Sequence, residues 1–212
     1  MFVVLLGPPG AGKGTQAQRI ATTTKLLHIS TGDMFRENVK AGTELGKLAE
    51  TYMSKGELVP DEVTIRMLLE RIGRPDAAEG AMFDGFPRNV VQAKALDEAL
   101  QSRGSKIDRA LLISVPDDEL IARLGGRGIC RQCGQLYHER NDPPQRQGVC
   151  DKCGGELYQR DDDRPEVVRT RLERQKPPAD LIGHYRDAGV LREIDGQRDL
   201  DSVTAALLEA LQ

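Results

Sequence analysis

The sequence of 212 residues lacks an apolar run approaching the length that a membrane-spanning helix needs, which is roughly 18–20 residues. It also lacks an excess of positive charge, since 30 Lys and Arg residues face 33 Asp and Glu residues and the net charge is −3. Non-specific nucleic-acid binding depends on a basic surface, so this balance argues against a nucleic-acid partner. We expect neither a membrane nor a nucleic acid among its partners.

The chain has no internal repeat, no low-complexity tract and no long block of one charge. Its first residues, Met1–Leu6, lack the basic region that opens a secretory signal peptide. We therefore expect a cytoplasmic protein, and its length is that of one large domain with room for a small inserted one. Disulfides are rare in the cytosol, so the four cysteines predict another role.

Short apolar runs alternate along the chain with longer stretches of helical spacing. This alternation predicts an α/β fold, with a mostly parallel sheet covered by helices on both faces. The predicted strands are Phe2–Leu6, Leu26–Ile29, Ala81–Phe83, Arg109–Val115 and Leu191–Ile194, and the predicted helices include Gln16–Thr24, Asp61–Ile72, Asn89–Arg103 and Asp201–Leu211.

Two segments break the alternation. Residues 31–59 carry only helical signals, whereas Gly126–Asp163 holds all four cysteines and resembles a small inserted module. A further helix is expected to begin at Pro165 and to be disturbed at Pro177-Pro178, because proline removes a helical hydrogen bond.

A glycine-rich loop, Gly7–Thr15, follows the first predicted strand and leads directly into a helix. Glycines let successive N–H groups turn toward one point, and the helix N-terminus adds partial positive charge, an arrangement typical of phosphate binding. Lys13 supplies a mobile full charge for the β- and γ-phosphates. Gly14 separates Lys13 from the hydroxyl of Thr15, so we expect carboxylates elsewhere to hold the water shell of Mg²⁺. The alternative is a tight strand–helix turn with an exposed lysine.

A second motif, Asp84-Gly85-Phe86-Pro87-Arg88, follows the third predicted strand. Ligands of open α/β sheets bind beyond the carboxyl ends of the strands, so Asp84 and the glycine loop are expected to face one cleft. A turn carrying a surface ion pair is the alternative for this motif taken alone.

The four cysteines form two C-x₂-C pairs separated by sixteen residues, namely Cys130, Cys133, Cys150 and Cys153. This spacing is typical of a zinc ribbon, in which four thiolates close a tetrahedral structural site. Two disulfides, four free thiols and an iron centre remain alternatives. His138 is not needed as a ligand and is expected on the surface of the module. Residues 126–163 contain six Lys or Arg against seven Asp or Glu, which disfavours nucleic-acid binding by this module.

Several collinear motifs together resemble the adenylate kinases, and in particular the bacterial form whose long lid binds zinc. The resemblance covers essentially the whole chain and rests on Gly7–Thr15, Ser30–Arg36, Asp84–Gln92, Arg160–Asp163 and Arg171. It implies a fold like that of the P-loop nucleoside-triphosphate hydrolases, with an inserted zinc-ribbon lid. It also implies a monomeric, cytoplasmic phosphotransferase that moves the γ-phosphoryl group of Mg·ATP to AMP and maintains the balance of adenine nucleotides.

The resemblance also implies roles for individual residues. ATP would be bound by Gly10, Ala11, Gly12, Lys13, Gly14, Thr15, Arg123, Arg127, Leu136, Tyr137 and Arg198. AMP would be bound by Thr31, Arg36, Glu57, Leu58, Val59, Gly85, Phe86, Pro87, Arg88, Gln92, Arg160 and Arg171, with Gln92 on the adenine edge. The catalytic set would be Lys13, Arg88, Arg123, Arg127, Arg160, Arg171 and Asp84.

The resemblance further divides the chain into a core of residues 1–29, 60–125 and 164–212, an AMP-binding segment of residues 30–59 and a zinc-binding lid of residues 126–163. Lid closure would exclude water, with hinges near Gly125-Gly126 and Gly128. Two departures from the family pattern stand out. Asn89 occupies a position where threonine is usual, and Arg164 follows the acidic run.

The expected chemistry needs no general base, because the second pKa of a phosphate monoester is about 6 and the acceptor is already a dianion at neutral pH. Phosphoryl transfer instead needs alignment and cations around the transferred group, and the planar fork of arginine suits phosphate. Asp84 is the first candidate to orient Mg²⁺ through water, and Asp33 is the second, unless Asp33 caps a helix.

Two alternatives to this function remain open. The first keeps the fold and changes the acceptor to UMP, CMP or another monophosphate, although Gln92, Thr31 and the long lid favour AMP. The second is a nucleotide-dependent switch of the small GTPase kind, but the sequence has no Asn-Lys-x-Asp motif to read guanine.

Overall fold

The computed structural model describes residues 1–212, which form two separate sheets. Five strands form a parallel sheet in the order β2-β3-β1-β4-β8 and three form an antiparallel sheet in the order β6-β5-β7. The strands are β1 (Phe2–Leu6), β2 (Leu27–Ser30), β3 (Ala81–Asp84), β4 (Arg109–Ser114), β5 (Arg127–Cys130), β6 (Leu136–His138), β7 (Leu157–Tyr158) and β8 (Leu191–Asp195). The predicted parallel sheet is confirmed, with strand ends that differ by a residue or less.

Nine helices connect these strands: α1 (Lys13–Thr24), α2 (Thr31–Lys40), α3 (Glu44–Met53), α4 (Asp61–Ile72), α5 (Val90–Gln101), α6 (Asp117–Gly125), α7 (Pro165–Gln175), α8 (Ala179–Asp187) and α9 (Leu200–Ala210). α1 begins earlier than predicted because the glycine loop passes directly into it. α7 and α8 are separated at Pro177-Pro178, as the sequence predicts. None of the nine is long and apolar enough to cross a membrane.

The parallel sheet is buried on both faces. Phe2, Val4 and Leu6 of β1 lie in one apolar cluster with residues of α4, α5 and α8. Val3 and Leu5 point the other way, into a cluster with residues of α1, α6, α7 and α9. Because side chains alternate along a strand, this division shows that helices cover both faces, which confirms the predicted fold class.

The inserted module is the antiparallel sheet β6-β5-β7 with the loops that connect its strands. Its apolar cluster contains only Cys130, Tyr137 and Cys150, with Leu157 packed against them. A cluster of this size supplies little burial, so the order of the module depends on other interactions.

Residues 31–53 form α2 and α3, which pack against each other and confirm the helical signals of this segment. A small separate cluster of Phe35, Ala49, Val59 and Met67 joins them to α4. The division of the chain into core, AMP-binding segment and lid stays a prediction.

Candidate active site and metal centre

The glycine loop follows β1 at the centre of the parallel sheet. Gly7 has a φ of 148°, and a Cβ there would lie 2.8 Å from the carbonyl oxygen of Ile113. Gly12, with a φ of 89°, occupies the left-handed region immediately before α1. Both positions need glycine, because a side chain would clash or strain the backbone. The loop therefore brings the N-terminus of α1 to the carboxyl edge of the sheet.

Lys13 lies at the first position of α1 and is buried, with only 8% of its surface exposed. Its ammonium group donates hydrogen bonds of 2.8 Å to the carbonyl oxygens of Gly7 and Pro8. Burial, followed by the charge of Arg88, lowers the pKa of Lys13 to about 7, although the carboxylate of Asp84 opposes the shift. A bound polyanion would restore the full charge of this group.

Asp84 ends β3, next to β1, and its Oδ2 lies 3.6 Å from the position that a Cβ on Gly14 would occupy. Burial would raise the pKa of Asp84, but the imidazole of His28 and the charge of Lys13 outweigh it and keep that pKa below its ordinary value. His28 Nε2 lies 3.5 Å from Asp84 Oδ2. The structure thus places an ionised carboxylate beside the glycine loop.

Arg88 reaches back across the second motif. Its Nε donates to the carbonyl oxygen of Gly85 at 2.8 Å, and its Nη1 donates to that of Gln175 at 3.2 Å. Burial lowers the pKa of Arg88 to about 10, which leaves the guanidinium charged at neutral pH. A narrow cleft joins the two motifs and is lined by Leu5, Leu6, Gly7, Lys13, Gly85, Pro87, Arg88 and Pro177.

Thr31 contacts Gly85, one of the residues that line this cleft. The Thr31 hydroxyl donates to the Gly85 carbonyl oxygen at 3.0 Å, and a Cβ on Gly85 would lie 2.9 Å from that hydroxyl. Three other residues of the expected nucleotide pockets, Ala11, Val59 and Phe86, have side chains inside apolar clusters. Only their backbone atoms are available to a ligand.

Arg127 and Arg171 share the carboxylate of Asp163, which is fully buried. Arg127 Nε donates to Asp163 Oδ2 at 2.7 Å, and Arg171 Nη1 donates to Asp163 Oδ1 at 2.6 Å. Arg171 also lies 3.3 Å from Asp162. This carboxylate therefore holds together two guanidinium groups that are distant in sequence and that both lower the pKa of Lys13.

Arg160 and Arg36 share a second carboxylate, that of Asp33. Arg36 donates to Asp33 Oδ1 at 2.5 Å, and Arg160 Nη2 lies 3.6 Å from the same oxygen. Burial, with repulsion from Arg36 and Arg127, lowers the pKa of Arg160 to about 9. The cap of α2 is Ser30, whose hydroxyl accepts from the Asp33 N–H, so the suggestion that Asp33 caps this helix is wrong.

Leu136 and Tyr137 point in different directions although they are adjacent in β6. Leu136 Cδ1 lies 4.0 Å from the position of a Cβ on Gly14, so this side chain covers the glycine loop. The Tyr137 ring is buried inside the module, with its hydroxyl 3.4 Å from Cys150 Sγ. Only the backbone of Tyr137 is free to approach a nucleotide.

Arg123 and Arg198 occupy separate positions. Arg123 binds Glu119 at 2.8 Å and the carbonyl oxygen of Gly196 at 3.0 Å, which ties α6 to the loop after β8. Arg198 and Arg192 line a cavity of about 270 Å³ between β8 and α9, and this cavity shares no residue with the cleft lined by Lys13 and Arg88. Arg198 therefore lies outside that cleft.

The four cysteine sulfur atoms lie within 4.8 Å of one another. Cys130 and Cys153 are 3.4 Å apart, and Cys133 and Cys150 are 3.6 Å apart. Four thiolates around a tetrahedral zinc ion, with bonds of about 2.3 Å, would be separated by roughly 3.8 Å. All four cysteines are free and none forms a disulfide. The donor set and its spacing therefore fit the predicted zinc site.

The module holds two further side chains near this cluster. The N–H of Asp151 donates to the Tyr137 hydroxyl at 2.7 Å. The contact with Cys150, together with burial, raises the pKa of Tyr137 to about 12, so the phenol keeps its proton. His138 was expected on the surface, and the structure leaves it half-buried. Its Nδ1 accepts from the backbone N–H groups of Arg140 and Asn141 at 3.2 Å, whereas its Nε2 is buried against Gly126 and has no hydrogen-bond partner.

Sequence reasoning missed several side chains that shape the cleft. They include His28 beside Asp84, Gln175 as an acceptor for Arg88, and Asp61, which contacts Gln92. Asp163 was noted only as part of an acidic run, whereas the structure makes it the shared partner of two arginines. The position of Asp61 at the start of a predicted helix was its only local signal, and its side chain does not cap that helix.

Comparison with known proteins agrees with this geometry. A sequence model of the family described as adenylate kinase matches residues 5–190 of the chain. An adenylate kinase of Moorella thermoacetica is 52% identical over 212 residues, covering 100% of this chain and 98% of that protein. Adenylate kinases of Streptomyces coelicolor and Lachnospira eligens are 52% and 48% identical, each over 100% of this chain and over 99% and 100% of their own lengths.

A match of this extent leaves no part of the parallel core unaligned. The glycine loop, the cleft beyond the sheet and the four-cysteine module lie within chains that are similar from end to end. The chain therefore belongs to the adenylate kinase family.

Proposed function

We propose that this chain catalyses the reversible transfer of the γ-phosphoryl group of Mg·ATP to AMP, which yields two ADP. The proposal is supported by membership of the adenylate kinase family and by one structural observation above all. Lys13 and Arg88 line one cleft, the charges of Arg88, Arg171 and Arg127 all act on Lys13, and the Nε atoms of Arg160 and Arg171 are buried without hydrogen-bond partners. Unpaired buried donors are costly, and phosphate oxygens would satisfy them.

The glycine loop is the proposed site of the ATP phosphates. Gly10–Thr15 would wrap the phosphate chain with backbone N–H groups, and Lys13 would exchange its two carbonyl partners for phosphate oxygens. Arg123 and Arg127 would hold the same nucleotide, Leu136 would cover it, and the loop carrying Arg198 would approach the base through its backbone.

AMP is the proposed acceptor on the other side of the cleft. Its phosphate would be held by Arg36, Arg88, Arg160 and Arg171, and its base would lie near Thr31, residues 57–59 and Gln92. Since the acceptor phosphate is a dianion above about pH 6, the protein needs to align it and to screen repulsion between the two polyanions. This explains a site built of guanidinium groups rather than of a nucleophile and a base.

Magnesium and zinc are assigned different roles. Asp84 is the proposed carboxylate for the water shell of Mg²⁺, because it is ionised and lies beside the glycine loop. Mg²⁺ bound with ATP offsets negative charge on the phosphates. Asp33 is a weaker candidate, since two arginines already share its carboxylate. The four cysteines are proposed to hold structural zinc with no open position.

The inserted module, residues 126–163, is proposed to act as a lid that excludes water from the cleft. Leu136 already lies over the glycine loop, and Arg160 reaches Asp33 in α2. Water would otherwise compete with AMP for the phosphoryl group, so closure favours transfer over hydrolysis. We further propose that the enzyme works as a monomer in the cytoplasm.

The decisive experiment measures ADP formation from ATP and AMP with and without Mg²⁺, using the chain as it is. We expect Mg²⁺-dependent ADP formation, with AMP outpacing UMP and CMP as acceptor. Faster turnover of UMP or CMP would change the assigned acceptor. Stoichiometric nucleotide binding without turnover would contradict an enzymatic function and favour a nucleotide-dependent switch.

A further inference from the structure

The side-chain amide of Gln92 is buried, with 1% of the residue exposed, and both of its ends contact the protein. Its Oε1 accepts a hydrogen bond of 2.8 Å from the backbone N–H of Arg88. Its Nε2 donates a hydrogen bond of 2.7 Å to Oδ1 of Asp61, the first residue of α4. The loop before α5 and the start of α4 therefore each form a hydrogen bond with one end of this amide.

These two partners fix which end of the amide is oxygen and which is nitrogen. A backbone N–H can only donate, so it needs the carbonyl end of Gln92, and an ionised carboxylate can only accept, so it needs the amino end. A flipped Gln92 amide would place its NH₂ group against the N–H of Arg88 and its oxygen against the carboxylate of Asp61. Because the site is buried, that mismatch is costly.

Asn89 holds the carboxylate of Asp61 in place. Its side-chain nitrogen lies 3.1 and 2.9 Å from the two oxygens of Asp61. Its side-chain oxygen accepts from the backbone N–H of Gln92 at 2.9 Å and caps α5. The set Asp61, Asn89 and Gln92 is thus connected by four side-chain contacts and oriented as one unit.

One lone pair on Oε1 and one hydrogen on Nε2 of Gln92 stay available after these contacts. An adenine base offers a donor at its 6-amino group and an acceptor at N1. A 6-oxopurine offers the reverse, an acceptor at O6 and a donor at N1. If arginines anchor the 5′-phosphate, the base cannot turn around, so the fixed amide can match only one of the two patterns.

We propose that Asp61 is a positioning residue that makes the monophosphate site selective for adenine over 6-oxopurines, by holding the Gln92 amide in one orientation. This inference rests on the proposed function, because it assumes that a purine monophosphate lies beside Gln92. Asp61 does not touch the reacting atoms and acts only through Gln92.

The test compares kcat/KM for AMP and for IMP in the full chain and in four variants. Asp61→Asn replaces the carboxylate by an amide whose NH₂ group can donate to the oxygen of a flipped Gln92. We expect the ratio of kcat/KM for AMP to that for IMP to fall by roughly tenfold. The fall is limited because the Arg88 N–H still favours the original orientation. The KM for AMP is expected to rise while the KM for ATP stays unchanged.

Two variants are matched controls for this change. Glu62→Gln removes an exposed carboxylate from the same first turn of α4 without touching Gln92, and it should keep the wild-type preference. Asp61→Glu keeps a group that can only accept, and it should restore most of the preference lost in Asp61→Asn.

The outcomes separate this inference from the function on which it rests. A wild-type chain that makes no ADP from ATP and AMP contradicts the proposed function. A wild-type chain that makes ADP, with a folded Asp61→Asn variant that keeps the wild-type AMP-to-IMP ratio, overturns only the role of Asp61. If Asp61→Asn does not fold, Asn89→Ser decides, since serine still caps α5 but releases Asp61. A lowered ratio in that variant supports the inference, and an unchanged ratio overturns it.

Discussion

The parallel core and the inserted module differ in how much apolar surface they bury. The core has two clusters, of 17 and 16 buried residues, one on each face of the sheet. The module has a cluster of three residues, two of them cysteines. Burial stabilises the first region at roughly 25 cal/mol per Å² of apolar surface, whereas the second has too little to remain ordered without another source of free energy. The parallel core, which carries the glycine loop, is therefore ordered by apolar burial, whereas the inserted module depends on other interactions for its order.

The largest effect is expected from Lys13→Met, which removes a proposed catalytic cation from the core and leaves the module untouched. We expect kcat to fall by about a thousandfold or more, because oriented charge at the transferred group supplies much of the rate acceleration in such reactions. ADP formation measures the change, and Lys94→Met, at an exposed position of α5, is the control.

The folding stability of Lys13→Met is not expected to fall together with its activity. The depressed pKa of Lys13, about 7, shows that the folded chain binds its proton less tightly than the unfolded chain, whose lysine pKa is 10.5. Folding stability therefore rises with pH between these values, and the buried charge costs stability at lower pH. Lys13→Met should melt no lower than the wild type at pH 6 without nucleotide. A clear loss of melting temperature there would contradict this electrostatic account.

Treatment with a metal chelator tests what stabilises the inserted module. We expect a chelator to lower the melting temperature by on the order of 10 °C, because zinc bound by the four cysteines is proposed to supply the order of the module. Activity at moderate temperature should change far less, since the core cations are not ligands. Calorimetry and ADP formation on the same samples provide the measurement. Unchanged melting of a verified metal-free sample would remove the structural role of the cysteines.

A smaller effect is expected from Tyr137→Phe, which keeps the buried ring and removes its hydroxyl. The Asp151 N–H occupies an acceptor site of this hydroxyl, so its proton is free to point at Cys150 Sγ. Hydrogen bonds that orient metal ligands typically affect metal affinity 10–100-fold. We expect about a tenfold weaker zinc affinity in competition with a chelator. Tyr158→Phe is the matched control in the same sheet, because the Tyr158 ring contacts Arg131 rather than a cysteine.

The smallest expected effect is a fraction of a proton taken up when ATP binds. Free Lys13 has a pKa of about 7 and is largely neutral at pH 8, and adjacent phosphates raise that pKa. Binding should therefore take up protons at pH 8, and uptake should be weaker at pH 6, where Lys13 is already charged. Titration calorimetry in buffers of different ionisation enthalpy measures the uptake. Equal uptake by Lys13→Met would assign the proton to another group.

The order of elements along the chain and the two local sites could be predicted from the sequence because their signals are local. Gly7–Thr15 carries its strand–loop–helix context within a few residues, and each cysteine pair lies on one tight turn closed by Gly134 or Gly154, both with positive φ. The parallel sheet followed from the alternation of strand and helix.

The partners of the cleft residues could not be predicted, because they depend on packing between distant segments. Asp163 meets Arg127 and Arg171 only once α7 packs beside the inserted module, and Asp61 meets Gln92 only once α4 packs on α5. The inward orientation of the Tyr137 side chain could not be predicted either, since the face on which a short strand presents each residue is fixed by its register with β5.

Arg127 and Asp163 lie at opposite ends of the inserted module, so the contact between them joins those two ends. The lid proposed for this segment would therefore move with its two ends held together. A phosphate bound at Arg127, as proposed, would compete with Asp163 for the same guanidinium. Nucleotide binding and lid movement would then be coupled through a single carboxylate.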